Sequence, residues 1–533
     1  MSSRIQLPGN AHLVDRRRML QGIAAVGGAA AMATGTAHAH HADGHRRGRR
    51  GYPFTLGVAS GDPRHDSVVL WTRLAPRPFE ADGGMGRGHH VVQWFVAEDP
   101  DLRRVVRHGT AHAPANLAHS VHVEVEGLRP NREYWYGFRH RGVESPVGRT
   151  KTLPAPGSHV EQLDFAFVSC QDWPSGYFPS YRHMASEDLD FVLHLGDYVY
   201  EYGIDPSGGL RSTPVPEVAQ KAPRTLADWR VRHALYRTDV DLQAAHARFP
   251  FIVTWDDHEV SNDYAGGWEG NTAEFTAVRI AAYRAYYEHM PLRRASLPRD
   301  VRMQLFRRFQ YGDLAQIDVL DGRQYRDAPP CGWGEAQACQ AAYDPAVTML
   351  GHPQEAWLYD GIRSSDVRWN ILGNNVLVSR LDHDGAAGDL LWHDAWDGFP
   401  AARNRLLDVL AEPGVRNAVF VTGDWHSTFV NDVHQDFDRP DSPVVATEFV
   451  GTSISTNGDG EVYGPYYGPM MRFNPHIRFF DGDRRGYVRC TVTPERWLSD
   501  LRMVGSVATR WSDEYTFALF EVLDGQPGAR RVI

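Results

Sequence analysis

Four short apolar runs in this chain each end in a cluster of polar, chemically versatile side chains, and that pattern limits the fold more than any other feature. Phe165-Ala166-Phe167-Val168 leads into Ser169-Cys170-Gln171-Asp172. Phe191-Val192-Leu193-His194-Leu195 leads into Gly196-Asp197-Tyr198-Val199-Tyr200. Phe251-Ile252-Val253-Thr254 leads into Trp255-Asp256-Asp257-His258-Glu259, with Asn262 beyond. Ala418-Val419-Phe420-Val421-Thr422 leads into Gly423-Asp424-Trp425-His426. Runs this short, continuous rather than alternating, suit strands buried on both faces. Helical periodicity separates them: Thr225-Leu226-Ala227-Asp228 has the form of a capping box, and 272–288 and 403–410 read as helices. The catalytic region, 158–515, is therefore expected to be a layered α/β domain.

Crevices in such domains form where strands end. Cys, Asp, Tyr, Asn and His converging there could hold two metal ions. A single Gly-Asp is weak evidence, because acids also form turns after strands; four such exits in one chain are strong. Among Asp256, Asp257 and Glu259 at least one acid is expected to serve as an ion-pair or supporting group, and the run does not single it out. His194, inside its apolar run, is expected only to pack.

At 533 residues the chain exceeds one ordinary core. Residues 53–154 read as a small all-β domain of fibronectin or immunoglobulin type. Val121-His122-Val123-Glu124-Val125 alternates, and Gly127 to Phe138 resembles a turn with a tyrosine corner. Leu153-Pro154-Ala155-Pro156-Gly157 marks the boundary, and 516–533 is expected to pack on the catalytic domain as a tail. Of four cysteines, Cys331 and Cys339 share one loop and are the natural disulfide pair; Cys490 lies in a strand-like run, and Cys170 is left over.

The N-terminus reads as an address. Asp15-Arg16-Arg17-Arg18-Met19-Leu20, an Ala/Gly-rich stretch from Gly22 to Ala33, and Ala37-His38-Ala39 form a twin-arginine signal over 1–39, followed by a basic linker over 40–52. The protein is thus expected to be periplasmic or secreted, with no membrane span in the mature chain. The net charge is −10; Arg4, Arg16, Arg17 and Arg18 against Asp15 give the leader +3, so the remainder carries −10 − 3 = −13. That balance argues against nucleic acid as a bulk partner and leaves an anionic substrate in need of local positive charge, which bound metal would supply.

Taken together, Ser169-Cys170-Gln171, His194-Leu195-Gly196-Asp197-Tyr198 with Tyr200-Glu201-Tyr202, Trp255-Asp256-Asp257-His258-Glu259 with Asn262, and Gly423-Asp424-Trp425-His426 resemble the calcineurin-like metallophosphoesterases, and within them the PhoD-type alkaline phosphatases and phosphodiesterases. Asp321-Gly322-Arg323-Gln324-Tyr325-Arg326, Asn474-Pro475-His476-Ile477 and Gly57-Val58-Ala59-Ser60-Gly61-Asp62-Pro63 match the same pattern, with Gly322 where threonine is expected. The resemblance implies a layered metallophosphoesterase β-sandwich flanked by helices, and one ferric iron and one or two calcium ions. Cys170, Asp197, Tyr200 and His426 would serve the iron side and Asn262, Asp424 and Asp257 the calcium side, with Asp197 bridging. It implies in-line attack on phosphorus by water whose pKa the metals lower. His258 would protonate the leaving group and Arg323 contact the phosphate. Substrates would be small-molecule, lipid or polymer phosphoesters, and the enzyme a monomer. Residues 459–486, rich in Gly and Arg, are expected to cover the pocket. Two other readings are a binding or scaffold protein built on the fibronectin-like front and a metallohydrolase acting on a non-phosphate bond.

Overall fold

The computed structural model describes residues 51–266, 272–386, 388–439 and 441–533. The leader and most of the linker, 1–50, lie outside the described residues. From Tyr52 to Ile533 the chain forms one compact unit.

Two mixed sheets carry it. At the centre of a ten-stranded sheet, Leu163–Val168, Phe191–His194 and Pro250–Val253 run parallel, with Phe165 opposite Phe191 and Val192 opposite Phe251. In a seven-stranded sheet, Ala315–Val319, Trp369–Asn374, Ala418–Thr422 and Val444–Val450 run parallel. Alternation along each strand sorts the side chains into layers. Phe165, Phe167, Phe191, Leu193 and Ile252 face Ile317, Ile371, Val419, Val421 and Phe449 across the sandwich. Ala166, Val168, Val192, Phe251 and Val253 point the other way, onto Trp229, Leu235, Leu242, Tyr283 and Tyr286 of the helices Leu226–Arg237, Val240–Arg248 and Ala273–His289. On the far side, Leu372, Phe420 and Ala446 meet Leu358, Ile362, Leu406 and Leu407 of His352–Arg363 and Pro400–Leu410. The order is helix, sheet, sheet, helix. Strands covered on both faces are why their sequences are apolar throughout; truncating a ring such as Phe167, 1% exposed, to alanine would cost about 3–5 kcal/mol.

Local signals hold. Thr225 and Asp228 exchange both bonds of a capping box, Thr272 caps Ala273–His289 through the Phe275 N–H, and Cys331 is bonded to Cys339. Tyr487 to Val492 lies within the strand Arg485–Val492, and Cys490 there is a buried free thiol. The Tyr134 hydroxyl accepts the Arg129 N–H at 2.9 Å, as a tyrosine corner should.

The front region is all-β, as expected, and one of its two layers is shared with the large sheet. His90–Ala97, Val105–Ala113 and Glu133–His140 form their own antiparallel sheet. The sheet they pack against is the extension of the ten-stranded one: Val58–Gly61 pairs parallel with Pro250–Val253, and Val68–Arg73 and Ser120–Val125 follow. The tail, likewise, is two strands of that sheet, Glu514–Leu523 and Gln526–Arg531, so position 515/516 falls within a strand. Among the described residues no helix is long and apolar enough to cross a membrane.

Candidate metal centre

Three of the polar segments leave adjacent parallel strands of one sheet, and the fourth leaves Ala418–Thr422 of the facing sheet. Each must turn at once to stay in the crevice. Cys170, Asp197, Asp424 and His426 all adopt left-handed backbone, with φ of 59°, 55°, 66° and 51°. For residues with a Cβ this conformation costs about 1–2 kcal/mol each, and such strain collects at functional sites. The loops are laced together: the Cys170 N–H donates to Gly196 O at 3.1 Å and the Gln171 N–H to Asp197 O at 3.0 Å. Gly196, at φ 114°, allows the next contact, because a Cβ there would lie 2.3 Å from Asp256 Cβ.

The result is a chain of three overlapping ligand groups, each with its donor atoms within 4.8 Å of one another: Cys170, Asp197 and His426; Asp197, Asp257 and His258; Asp256, Asp257 and Asp424. Asp197 and Asp257 each belong to two groups. Tyr200 joins the first, its hydroxyl donating to Asp197 Oδ2 at 2.8 Å and lying 3.3 Å from His426 Nε2. His426 and Asp424 side chains are 13% and 22% exposed while Asp197 is 1%, so solvent reaches the group from their side.

The fit to cations is electrostatic as well as geometric. Asp197 Oδ1, Asp256 Oδ2 and Asp257 Oδ1 are buried with no hydrogen-bond partner. Burial pushes the Asp197 carboxyl well above the usual range, opposed by His258 and reinforced by Asp257 and Asp256. Burial does the same to Asp424, with Asp256 adding and Arg323 opposing. The Cys170 thiol and Tyr200 phenol are driven up by burial and then by Asp197. Buried carboxylate oxygens without donors, crowded by like charge, are what a bound cation would satisfy.

Around this core the remaining expected residues separate. Glu201 Oε2 lies 2.8 Å from His258 Nδ1. Burial disfavours charge on His258, yet Asp257, Glu201 and Asp197 hold its pKa well above the ordinary value. Glu259 takes N–H groups from Asp197 and Asp256 at 3.1 and 2.8 Å and that of Tyr198; it is the supporting acid of its run, its pKa raised to about 8 by burial. Asn262 is exposed, its N–H on Glu201 Oε1 at 2.9 Å and its amide oxygen accepting the Tyr202 hydroxyl at 3.0 Å. His194 is fully buried and packs, as expected.

Arg323 differs from expectation. It is 0% exposed and sits behind the carboxylates, bonded to Asp256 and, through Nη1 alone, to both oxygens of Asp394 at 2.9 and 2.8 Å. Its Nη2 lies 3.6 Å from Asp257 and 3.8 Å from Asp424. A guanidinium so enclosed balances charge; it is not placed to meet a phosphate from solvent.

Sequence reasoning missed Asp394 and Glu201, and gave no weight to Thr456 and Asn457, which lie 2.8 Å from the Tyr200 hydroxyl and 3.1 Å from His426 Nδ1. Asp394 had the same signal as the others, an acid following the apolar Leu390-Leu391-Trp392. Glu201 stood beside Tyr200 without a role. Thr456 and Asn457 lie in a run of small polar residues that carries no metal-site signal.

The sequence profile of the PhoD-like phosphatases matches residues 165–501, and that of their N-terminal domain residues 37–154. Alkaline phosphatase D of Bacillus subtilis (strain 168) is 45% identical over 530 residues, 97% of this chain and 89% of that protein. A solved structure of PhoD superposes with a TM-score of 0.86 at 46% identity, covering 91% of this chain and 92% of that one. The purple acid phosphatase PPD1 from yellow lupin seeds shares the fold, with a TM-score of 0.53 at 13% identity over 87% of this chain and 74% of that one. With its strand exits, its overlapping acid, thiol and imidazole groups and these likenesses, the chain belongs to the PhoD-like phosphatase family and is a metal-dependent phosphoesterase.

Proposed function

We propose that this enzyme is an exported alkaline phosphatase with phosphodiesterase activity, and that Cys170, Asp197, Tyr200 and His426 hold one ferric iron. Asp257, Asn262 and Asp424 would hold one or two calcium ions. The observation that carries the assignment is the sharing of Asp197 between two ligand groups, which suits one carboxylate bridging two cations. A thiol and a phenol beside an imidazole favour a redox metal at that end, and an all-carboxylate group favours a hard cation at the other. When bound, the metals would lower the pKa of a coordinated water and neutralise charge on phosphate oxygens.

The chain's own side chains do the rest. His258, turned by Glu201, would present Nε2 to the leaving-group oxygen as its acid. Arg323 and Arg326, locked on Asp394, hold the acids of the hard-cation side in place. Asn262 must release Tyr202 to reach a cation. Tyr463, whose hydroxyl lies 3.4 Å from His426 Nδ1, supports a role for 459–486 in bordering the pocket. The substrates are small-molecule, lipid or polymer phosphoesters, and the working unit is a monomer.

Elemental analysis of protein purified without chelator tests the metals; iron and calcium with a visible tyrosinate band are expected, and a colourless zinc protein would overturn the iron site. Rates on p-nitrophenyl phosphate, its bis ester and a carboxyl ester test the reaction, and export of a reporter fused to residues 1–52 tests the address.

A further inference from the structure

A fifth strand also ends at the site, and the loop after it, 451–457, brings no carboxylate, thiol or imidazole. Val444–Val450 runs parallel to Ala418–Thr422, and the loop after it folds back over the loop that carries Cys170. Ile454 N–H donates to Ser169 O at 3.1 Å and Thr456 N–H to Cys170 O at 3.2 Å, while the Ser455 hydroxyl donates to Asp172 O at 2.8 Å. Two side chains then reach the thiol, phenol and imidazole end of the centre. Thr456 Oγ1 donates to Cys170 O at 2.7 Å and lies 2.8 Å from the Tyr200 hydroxyl. Asn457 places its amide nitrogen 3.1 Å from His426 Nδ1 and donates from it to the Tyr463 hydroxyl at 2.8 Å; a half-turn of the amide would put its oxygen in the same place.

Those contacts constrain the donors. An imidazole binds a cation through a nitrogen that carries no proton, and the partner of its other nitrogen decides which one that is. With the Asn457 amide NH2 toward Nδ1, the proton sits on Nε2, the nitrogen that faces Asp197 at 3.7 Å and Tyr200 at 3.3 Å. With the amide turned over, its oxygen accepts from Nδ1–H, and the Nε2 lone pair points at the group. Thr456 has one proton and two acceptors within reach, the Cys170 carbonyl and the Tyr200 oxygen, so its hydroxyl links the phenol to the Cys170 loop.

We propose that Thr456 and Asn457 are positioning residues that prepare the Cys170, Tyr200 and His426 donors for a cation, Asn457 by keeping the His426 proton on Nδ1 and Thr456 by tying the Tyr200 oxygen to the Cys170 loop. The proposal rests on the ligand assignment above, and its test separates the two. Wild-type protein and the variants T456V, T456S, N457G and N457D are loaded alike and dialysed against chelator. Metal content is followed by elemental analysis, and melting temperature, kcat and KM are measured beside it. N457G removes the amide while suiting the left-handed backbone at φ 69°; N457D keeps an oxygen that can only accept.

T456V and N457G are expected to lose metal about 10–100-fold faster than wild type, the usual effect of removing a group that orients a ligand. T456S and N457D should retain it nearly as wild type does, with kcat following metal content and KM little changed. N457D releasing metal as fast as N457G, or folded T456V and N457G holding metal as long as wild type, would overturn the positioning role. Wild type that binds no metal would instead remove the ligand assignment beneath it.

Discussion

Glu201 and His258 form a carboxylate–imidazole pair, Oε2 to Nδ1 at 2.8 Å, at the edge of the candidate metal centre. The Tyr200 ring lies 4.2 Å from the imidazole, centroid to centroid, so the histidine is held on two sides; in the proposed mechanism its Nε2 would serve the leaving group. A general acid matters in proportion to how badly the leaving group needs a proton. Glu201→Gln and His258→Ala are expected to lower kcat about 100-fold on alkyl phosphates and far less on p-nitrophenyl phosphate, whose leaving group departs unaided. Rates across a series of leaving-group pKa values check this; equal losses at both ends of the series would remove the acid role.

Asp197 sits where stability and function pull apart. Its Oδ1 is buried with no partner and Asp257 and Asp256 push its pKa up, so in chelated enzyme its charge works against folding. Asp197→Asn should cut phosphoesterase activity about 100–1000-fold, as expected when a group that stabilises transition-state charge is lost. The same change should raise the melting temperature of chelator-treated protein, by about 1 °C per kcal/mol of repulsion relieved in a unit of this size. Calorimetry with and without chelator reads both effects; a D197N variant that melts lower than wild type after chelation contradicts the electrostatic account.

Much of this is legible in the sequence. The two central layers are visible because strands such as Phe191–His194, buried on both faces, cannot alternate, and each ligand segment follows one of them directly. What cannot be read is what depends on contacts across the chain. Nothing in the front region shows that Val58–Gly61 pairs with Pro250–Val253, since a strand's partner depends on the whole fold. Arg323 carries the same charge whether it faces solvent or Asp394; only depth distinguishes a phosphate contact from a charge balance. Thr456 and Asn457 are invisible because a hydroxyl and an amide acquire a role only from the ligands they touch.

Arg323 gives a sharp contrast between these two roles. Its guanidinium spans Asp256 and Asp394 and approaches Asp257 and Asp424, and burial, which alone would lower its pKa, is outweighed by those four acids. Removing one partner of a buried pair leaves uncompensated charge and costs about 3–5 kcal/mol. Arg323→Met should therefore destabilise strongly. Arg323→Lys should destabilise less, since it keeps the charge, though one ammonium cannot replace the separate nitrogens that bond Asp256 and Asp394. In protein that still folds, KM for p-nitrophenyl phosphate should stay near the wild-type value. A tenfold rise in KM with an unchanged melting temperature would restore the phosphate contact.

A last prediction concerns acid sensitivity away from the centre. His233, 0% exposed, lies stacked on His289 with ring centroids 5.0 Å apart, and neither of its nitrogens has a hydrogen-bond partner. Burial, and then Arg232, Arg73 and Arg237, lower its pKa from 6.5 to about 3. The unfolded chain takes up this proton as pH falls through about 6.5, whereas the native state does not until pH reaches about 3. The neutral ring's contribution to stability is thus complete above the unfolded pKa and drains away as pH falls between those values, at about 1.4 kcal/mol per pH unit for one fully shifted group. His233→Phe, close in shape and without a titrating nitrogen, should move the acid-unfolding midpoint to lower pH and leave stability at pH 8 within about 1.5 kcal/mol of wild type. Urea denaturation at pH 8 and pH 5 measures both, and a change in stability that is the same at the two pH values would show that His233 stays uncharged in the unfolded chain or is charged in the native one.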